Sequence, residues 1–406
     1  MKTFPPRALW RLSPLALLLA CQGCLGPVVV ETDESAPPFS FRSLDLEQRT
    51  KDGQPAWTLK SPEARYNIRS SVARALRPEG VIFSRGNPLY RLRAATGTVV
   101  NDGAVILLEG AIQLQRLGRD PLMVKAERAV WIPGEALMRF DLAPRVRDAR
   151  NRLSSQTAVL HLEEDLLELR GQPKLERWSR PTPLSVTPKP ERLEIVGTVK
   201  TLDWRPSKGT LLGTGPVTIR RRPPHSSAKA PPQVLTASRL EGNTLQQRFT
   251  LQGPVRMDDP LEKSWFRGGS LTFDTREQWL TSAAAFEGQK GALRFQGQEL
   301  RLDGKPTTAS IGRDCRLRQK GDALQASRCQ WNWTTQAVAA EGEVIFRREG
   351  DKQFTRAGRL EGQLGAAGRV TVSTPGGRVI TRVQVPRQAS PPRQPRVPAK
   401  PEPIEY

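Results

Sequence analysis

The chain is poor in the residues that carry catalysis. It has two histidines and four cysteines in 406 residues. His161 sits among apolar residues in a strand-like run and His225 in a Pro-rich stretch. Neither has a cysteine or second histidine at ligand spacing, which argues against a metal site. Gly-x-Ser-x-Gly elbows, phosphate-cradling glycine loops and Walker motifs are missing too. Glu163, Glu164 and Asp165 stand together at a hairpin position, where a solvated turn is expected rather than an acid/base pair. β-helical polysaccharide lyases are also repeat folds, but they need acids and bases clustered on one face, and nothing marks such a cluster. The expectation is a protein that is not an enzyme and has no cofactor. Helix-type apolar spacing is almost absent. What remains is 33 Gly and 35 Pro punctuating short runs rich in Val, Leu, Ile, Thr and Arg, which predicts an all-β protein.

Negative charge is also in deficit. Lys and Arg number 63 against 41 Asp and Glu, a net charge of +22. Such a surplus either forms a solvated basic surface or attracts anions such as nucleic acid, phosphorylated lipid or an anionic membrane face. The export signal described below and the lack of an aromatic-plus-basic recognition motif disfavour nucleic acid.

The chain is organised around residues 95–115, ATGTVVNDGAVILLEGAIQLQ. This reads as a strand, a turn at Asn101-Asp102-Gly103, and a second strand that breaks at Gly110 and resumes. Ile106, Leu108, Ile112 and Leu114 keep period two and share one face. Gly110 lets the backbone bend between the halves. The apolar-x-Gly pattern recurs at Gly171, Gly215, Gly253, Gly288 and Gly342, and Phe140-Asp141-Leu142-Ala143-Pro144 fills the first wide gap with Ala-Pro in place of Gly. Three of the spacings are 44 (215−171), 38 (253−215) and 35 (288−253) residues. Recurrence on this scale predicts stacked units that bury their apolar faces against one another. The fold class expected is all-β: antiparallel strands stacked in an extended β-jelly-roll or V-shaped repeat array.

Residues 1–20 carry Lys2, Arg7 and Arg11 ahead of an apolar run too short to span a bilayer, the pattern of a secretory signal. Leu18-Leu19-Ala20-Cys21 resembles a bacterial lipobox, which would make Cys21 the lipidated first residue of the mature protein. The alternative is an uncleaved anchor reaching on through Val30. Cys24 lies close by, and a redox or metal role for the pair is not expected in a signal context. Each acyl chain would add about 0.8 kcal/mol per buried CH₂ to membrane anchoring. Residues 21–38 read as a tether, 39–180 as a first β-jelly roll, 181–192 as a Pro-rich connection and 193–385 as further repeats. Within these, 220–232 reads as an exposed basic loop, and 386–406 as a disordered Pro-rich tail.

Cys315 and Cys329 flank Gly321-Asp322-Ala323 symmetrically, since 315 + 329 = 2 × 322. A three-residue hairpin loop would make them cross-strand partners. Outside the cytoplasm that suggests a disulfide, the alternative being two free buried thiols.

One ordered series of motifs points to a family. Asp52-Gly53 marks a turn, Trp57-x-Leu59 a strand, and Ser61-x-x-Ala64-x-Tyr66 a step. Val81-x-Phe83 and Leu108-x-Gly110-x-Ile112-x-Leu114 follow. This order resembles LptC, the periplasmic component of lipopolysaccharide export, whose repeat relatives are OstA-like transport proteins. Members are typically shorter and carry a transmembrane anchor, so a lipid anchor and a long repeat region are departures. The resemblance implies a periplasmic bridge role in lipopolysaccharide export, here membrane-anchored. If the stacked sheets do not fully close, their apolar faces form a continuous groove that would shelter acyl chains of the glycolipid while its anionic head rides outside. Trp57, Leu59, Ile106, Leu108, Ile112 and Leu114 are the groove candidates; the plainer alternative is that they pack a closed core. Arg and Lys at the rim would meet phosphates or carboxylates. The partners implied are lipopolysaccharide or a related glycolipid, an inner-membrane ABC exporter complex, and a periplasmic jelly-roll bridge protein joined by strand addition. The competing expectation is a non-transporting envelope scaffold lipoprotein that holds anionic cell-wall polymer.

Overall fold

The computed structural model describes residues 39–383 apart from 119, 223–229, 320, 350–351 and 365–367. The signal, Cys21, Cys24, the tether, the tail, His225 and most of the 220–232 loop lie outside the described residues. Arg220 and Arg221, read from sequence as the start of that loop, are instead the end of the strand Thr210–Arg221.

Period-two alternation builds nearly every described element as a strand. All pairings are antiparallel, and they sort into two ladders. The first begins Phe39–Phe41, Glu63–Asn67, Val72–Leu76, Thr96–Val100 and the first half of Val105–Arg116. The second begins Leu44–Arg49, Pro55–Ser61, Glu79–Ser84, Asn87–Arg93 and the second half of Val105–Arg116. The chain visits the ladders alternately through short strands, or serves both at once through long ones. Thr210–Arg221, Gln233–Asn243, Arg248–Asp259 and Ser264–Asp274 are four successive long strands. The first ladder ends at Val370–Ser373 and the second at Ile380–Val383.

Both ladders pass the Pro-rich connection without interruption. Lys174–Trp178 pairs with Leu193–Thr198, and Leu166–Arg170 with Thr201–Arg205. The connecting loop is pinned, because the Arg147 guanidinium donates to the carbonyls of Thr182, Pro183 and Leu184. Burial there, and the neighbouring Arg152, lower the Arg147 pKa. The described repeats therefore make one continuous array of pairings.

Where a strand crosses from one ladder to the other, it turns a corner. Gly110 and Ala111 turn it with φ of 74° and 46°, and the register to the next strand skips there. Leu142 and Ala143 do the same with φ of 62° and 57°, so this stretch does replace a corner glycine. Gly253 has a second reason to lack a side chain. At φ +90, an added Cβ would sit 2.6 Å from Ser238 Oγ on the adjoining corner. Gly288 differs from this pattern. It lies within Phe286–Lys290, opposite Phe266 and Phe295, and makes room for the Phe295 ring, whose Cζ an added Cβ would approach to 2.6 Å. The corner of that layer is at 283–285, between Trp279–Ser282 and Phe286–Lys290.

The ladders fold over one apolar interior. Through the first ladder one inward row reads Val99, Ile106, Trp131, Met138, Leu160, Leu167, Trp204, Leu211. Through the second it reads Leu59, Gly80, Leu92, Leu114, Val124, Val146, Leu153. Both rows belong to a single buried cluster, apart from Gly80, the row's one residue without a side chain.

Cys315 and Cys329 form a disulfide with Cα atoms 5.9 Å apart. Their placement differs from the expected hairpin. Gln319 pairs with Asp322, so the turn falls earlier than the symmetry of the two cysteines implied, and Cys315 faces Ala326. A corner at Ser327 then carries Cys329 into the first ladder, opposite Ile311. The bridge thus links the two ladders beside the corner line. Asp322 opens a strand and takes two hydrogen bonds from Arg348, at 2.9 and 3.0 Å.

Candidate functional site

The interior between the ladders is the one feature that runs the length of the described residues, and its degree of closure changes along the chain. Trp57, Leu59, Ile106, Leu108, Ile112 and Leu114 are brought together in it, Leu108 with no exposed surface. At this end the outer margins of the two ladders meet. Trp57 of the second ladder packs edge-on to Trp131 of the first at 5.4 Å, and its ring fills the space over Gly103 in the turn of the first. Arg116 of the second ladder faces Asp165 in a turn of the first at 3.7 Å. These contacts close the mouth over the six residues.

Farther along the mouth is less closed. Phe249, Phe273, Leu280 and Leu302 continue the inward row of the first ladder, and Ile219, Leu235 and Met257 that of the second. All seven touch the core yet remain half-buried. Phe249 and Phe273 stack across strands with ring centroids 5.5 Å apart. Beyond them the mouth narrows again, where Lys290 of the second ladder lies 5.9 Å from the Trp333 ring of the first. Sequence reasoning missed this half-open stretch. Its apolar alternation equals that of the closed stretch, and the difference lies in whether residues at the margins meet.

One position farther out on the second ladder, the inward row mixes basic side chains with apolar ones such as Ile82, Tyr90, Leu122, Ile195 and Leu293. Arg116, Arg177, Arg221 and Lys290 stand on it. Burial, then the nearby Arg150, lowers the Arg177 pKa, and its guanidinium donates to Asn151 Oδ1 at 3.4 Å. Arg221 pairs with Glu194 at 3.4 Å and Lys290 with Glu262 at 3.3 Å. The interior thus has an apolar floor and a margin on which cations stand, three of them paired with the carboxylates of Asp165, Glu194 and Glu262.

Each ladder has an open strand edge at either end of the described residues. Phe39–Phe41 and Leu44–Arg49 start the ladders, and Val370–Ser373 and Ile380–Val383 end them, each unpaired on its outer side among the described residues. Phe39, Phe41, Ile380 and Val383 are exposed there.

Antiparallel ladders folded on one apolar interior define the class: a β-jelly-roll repeat protein. The family model described as "Lipopolysaccharide-assembly, LptC-related" matches residues 16–176. The resemblance to that family is therefore a finding for this stretch, which ends within the strand Lys174–Trp178. Comparison with curated proteins gave no match. Among solved structures, the chain is similar to LptH from Pseudomonas aeruginosa, described as the LptA homologous periplasmic component of the conserved lipopolysaccharide transport device. The identity is 16%, the TM-score 0.19, and the match covers 39% of this chain and 80% of that one. At that score nothing about this chain rests on the match.

Proposed function

We propose that the protein is a non-enzymatic component of lipopolysaccharide transport, anchored through Cys21 on the periplasmic side of a membrane. It holds acyl chains of the glycolipid between its ladders and keeps the anionic head at the basic margin. The observation that carries this reading is the half-open apolar stretch around Phe249, Phe273, Leu280 and Leu302 on the first ladder, with Arg221 and Lys290 on the second. Side chains that touch a core yet keep free apolar surface gain about 25 cal/mol for each Å² an acyl chain covers. Chains entering there reach Leu108 and Ile112 only where the margins part. The LptC-related match over residues 16–176 supports the glycolipid as cargo. The unpaired edges would accept strands from an inner-membrane exporter complex on one side and a periplasmic jelly-roll bridge protein on the other, extending the interior.

The test is binding of purified lipopolysaccharide to the folded protein, followed by displacement of a fluorescent fatty acid. Displacement that persists in high salt and is lost in Phe273→Asp supports the reading. Binding to anionic cell-wall polymer that salt abolishes, with no displacement of the fatty acid, refutes it in favour of an envelope scaffold.

A further inference from the structure

Arg116, Asp165 and Ser207 join residues that the ladder pattern keeps far apart. Arg116 ends the long strand Val105–Arg116 at the outer margin of the second ladder. Asp165 lies in the turn between Thr157–His161 and Leu166–Arg170, at the margin of the first. Ser207 lies in the next turn along, between Thr201–Arg205 and Thr210–Arg221. The Ser207 amide donates to Asp165 Oδ2 at 2.6 Å, which fixes the carboxylate. The Arg116 guanidinium faces that carboxylate at 3.7 Å and donates to the Ser207 hydroxyl across 91 positions of sequence. The ion pairs Arg170–Asp203 and Arg152–Glu176, by contrast, connect neighbouring strands of one ladder.

The ion pair is partly screened from water, with the Arg116 side chain 13% exposed and that of Asp165 21%, while Ser207 is exposed. Beneath Arg116, in register with it, lies the buried Tyr90. Burial first, and then the Asp165 carboxylate, push the Tyr90 phenol up. The margin is polar here over an apolar floor of Leu92 and Leu114. Apolar packing alone therefore does not hold this part of the mouth. In the acidic turn that sequence suggested was solvated, Glu163 and Glu164 are exposed, and Asp165 alone is engaged across it.

We propose that Arg116, Asp165 and Ser207 form a latch across the mouth, and that its release admits an acyl chain to the enclosed end of the interior around Leu92, Leu114 and Ile112. This rests on the reading of the interior as a lipid site, but the latch itself can be tested without lipid.

The test compares Asp165→Asn, which removes the charge and keeps an acceptor for the Ser207 amide, with Asp203→Asn, which breaks an ion pair inside the first ladder. Hydrogen exchange is followed at 112–116 and 166–170, with 308–348 as an internal reference. A fluorescent naphthylamine probe reports access to the interior. The latch predicts that Asp165→Asn raises exchange at both segments by about fivefold or more, raises probe uptake, and leaves the reference unchanged. Asp203→Asn should change exchange at 112–116 and probe uptake by less than about twofold. Equal responses from the two variants, or none from Asp165→Asn, overturn the proposal. Should Asp165→Asn prove unstable, Arg116→Lys serves in its place: it keeps the charge and loses the fork to Ser207, and unchanged probe uptake in it is the overturning result. A working latch in a protein that fails to bind lipopolysaccharide would refute the lipid reading and leave the latch standing.

Discussion

Removing the Cys315–Cys329 bridge should loosen one part of the array and leave the rest intact. The bridge closes a loop with a sequence separation of 14. For a loop of about 15 residues the chain-entropy model gives about 3 kcal/mol at 25 °C. Both sulfurs are buried, so replacement by Ala also gives up packing. Cys315→Ala/Cys329→Ala is the better perturbation, since Ser would bury hydroxyl groups without assigned partners. The effect should be local, because each unit contacts mainly its neighbours. The assay is hydrogen exchange on intact protein, with urea unfolding beside it. Exchange should rise by about a hundredfold in Thr308–Gln319, Asp322–Ala326 and Arg328–Asn332, which share pairings with the bridged residues. It should not change in Val105–Arg116, which pairs with none of these. A change spread evenly over both regions would refute the view that the array is a chain of nearest-neighbour layers. No change anywhere would refute the stabilising role of a bridge between ladders.

Leu108→Ala, at a position with no exposed surface, should cost about 2–5 kcal/mol in urea unfolding; a cost below about 1 kcal/mol would mean that the closed end is not closely packed. Gly253→Ala should destabilise by more than about 1 kcal/mol, from its φ of +90 and from contact with Ser238; adding Ser238→Gly should recover only the contact part. Stability should fall below about pH 4. The backbone N–H of Glu277 depresses Asp274, and a hydrogen bond from Arg328 depresses Glu341; at Glu176 burial acts upward, but Lys174 and Arg152 outweigh it. Carboxylates with folded pKa values below their unfolded ones add stability above the unfolded values, and that stability is lost as pH falls through the folded values. Urea midpoints at pH 7 and pH 3 measure this, and Glu176→Gln should flatten the difference.

The fold was largely legible in the sequence because its rules are local. The strand, Asn101-Asp102-Gly103 turn and strand of 95–115 follow from alternation and turn chemistry, and Leu142-Ala143 declared itself as a corner by position. Gly288 misled because an apolar-x-Gly pattern serves equally for a corner and for clearance beneath an aromatic ring. The cysteines paired, but the hairpin inferred from their symmetry had the wrong centre, since the Gln319–Asp322 pairing and a corner at Ser327 are separate events. The closure of the mouth was not legible. Arg116 meeting Asp165, or Trp57 meeting Gly103, depends on how one ladder lies over the other, and alternation within strands carries no record of it.

The most direct test of the central claim is photocrosslinking in cells. A photoreactive side chain is placed in turn at Phe249, Phe273 and Leu302, at the enclosed Leu59, Leu108 and Ile112, and at outward-facing Gln113 and Thr272. Glycolipid adducts are expected at the first three, weaker adducts at the enclosed positions that grow when Asp165→Asn is added, and none at Gln113 or Thr272. Folded protein with no adduct at Phe249, Phe273 or Leu302, or with equal adducts at Thr272, would contradict the claim.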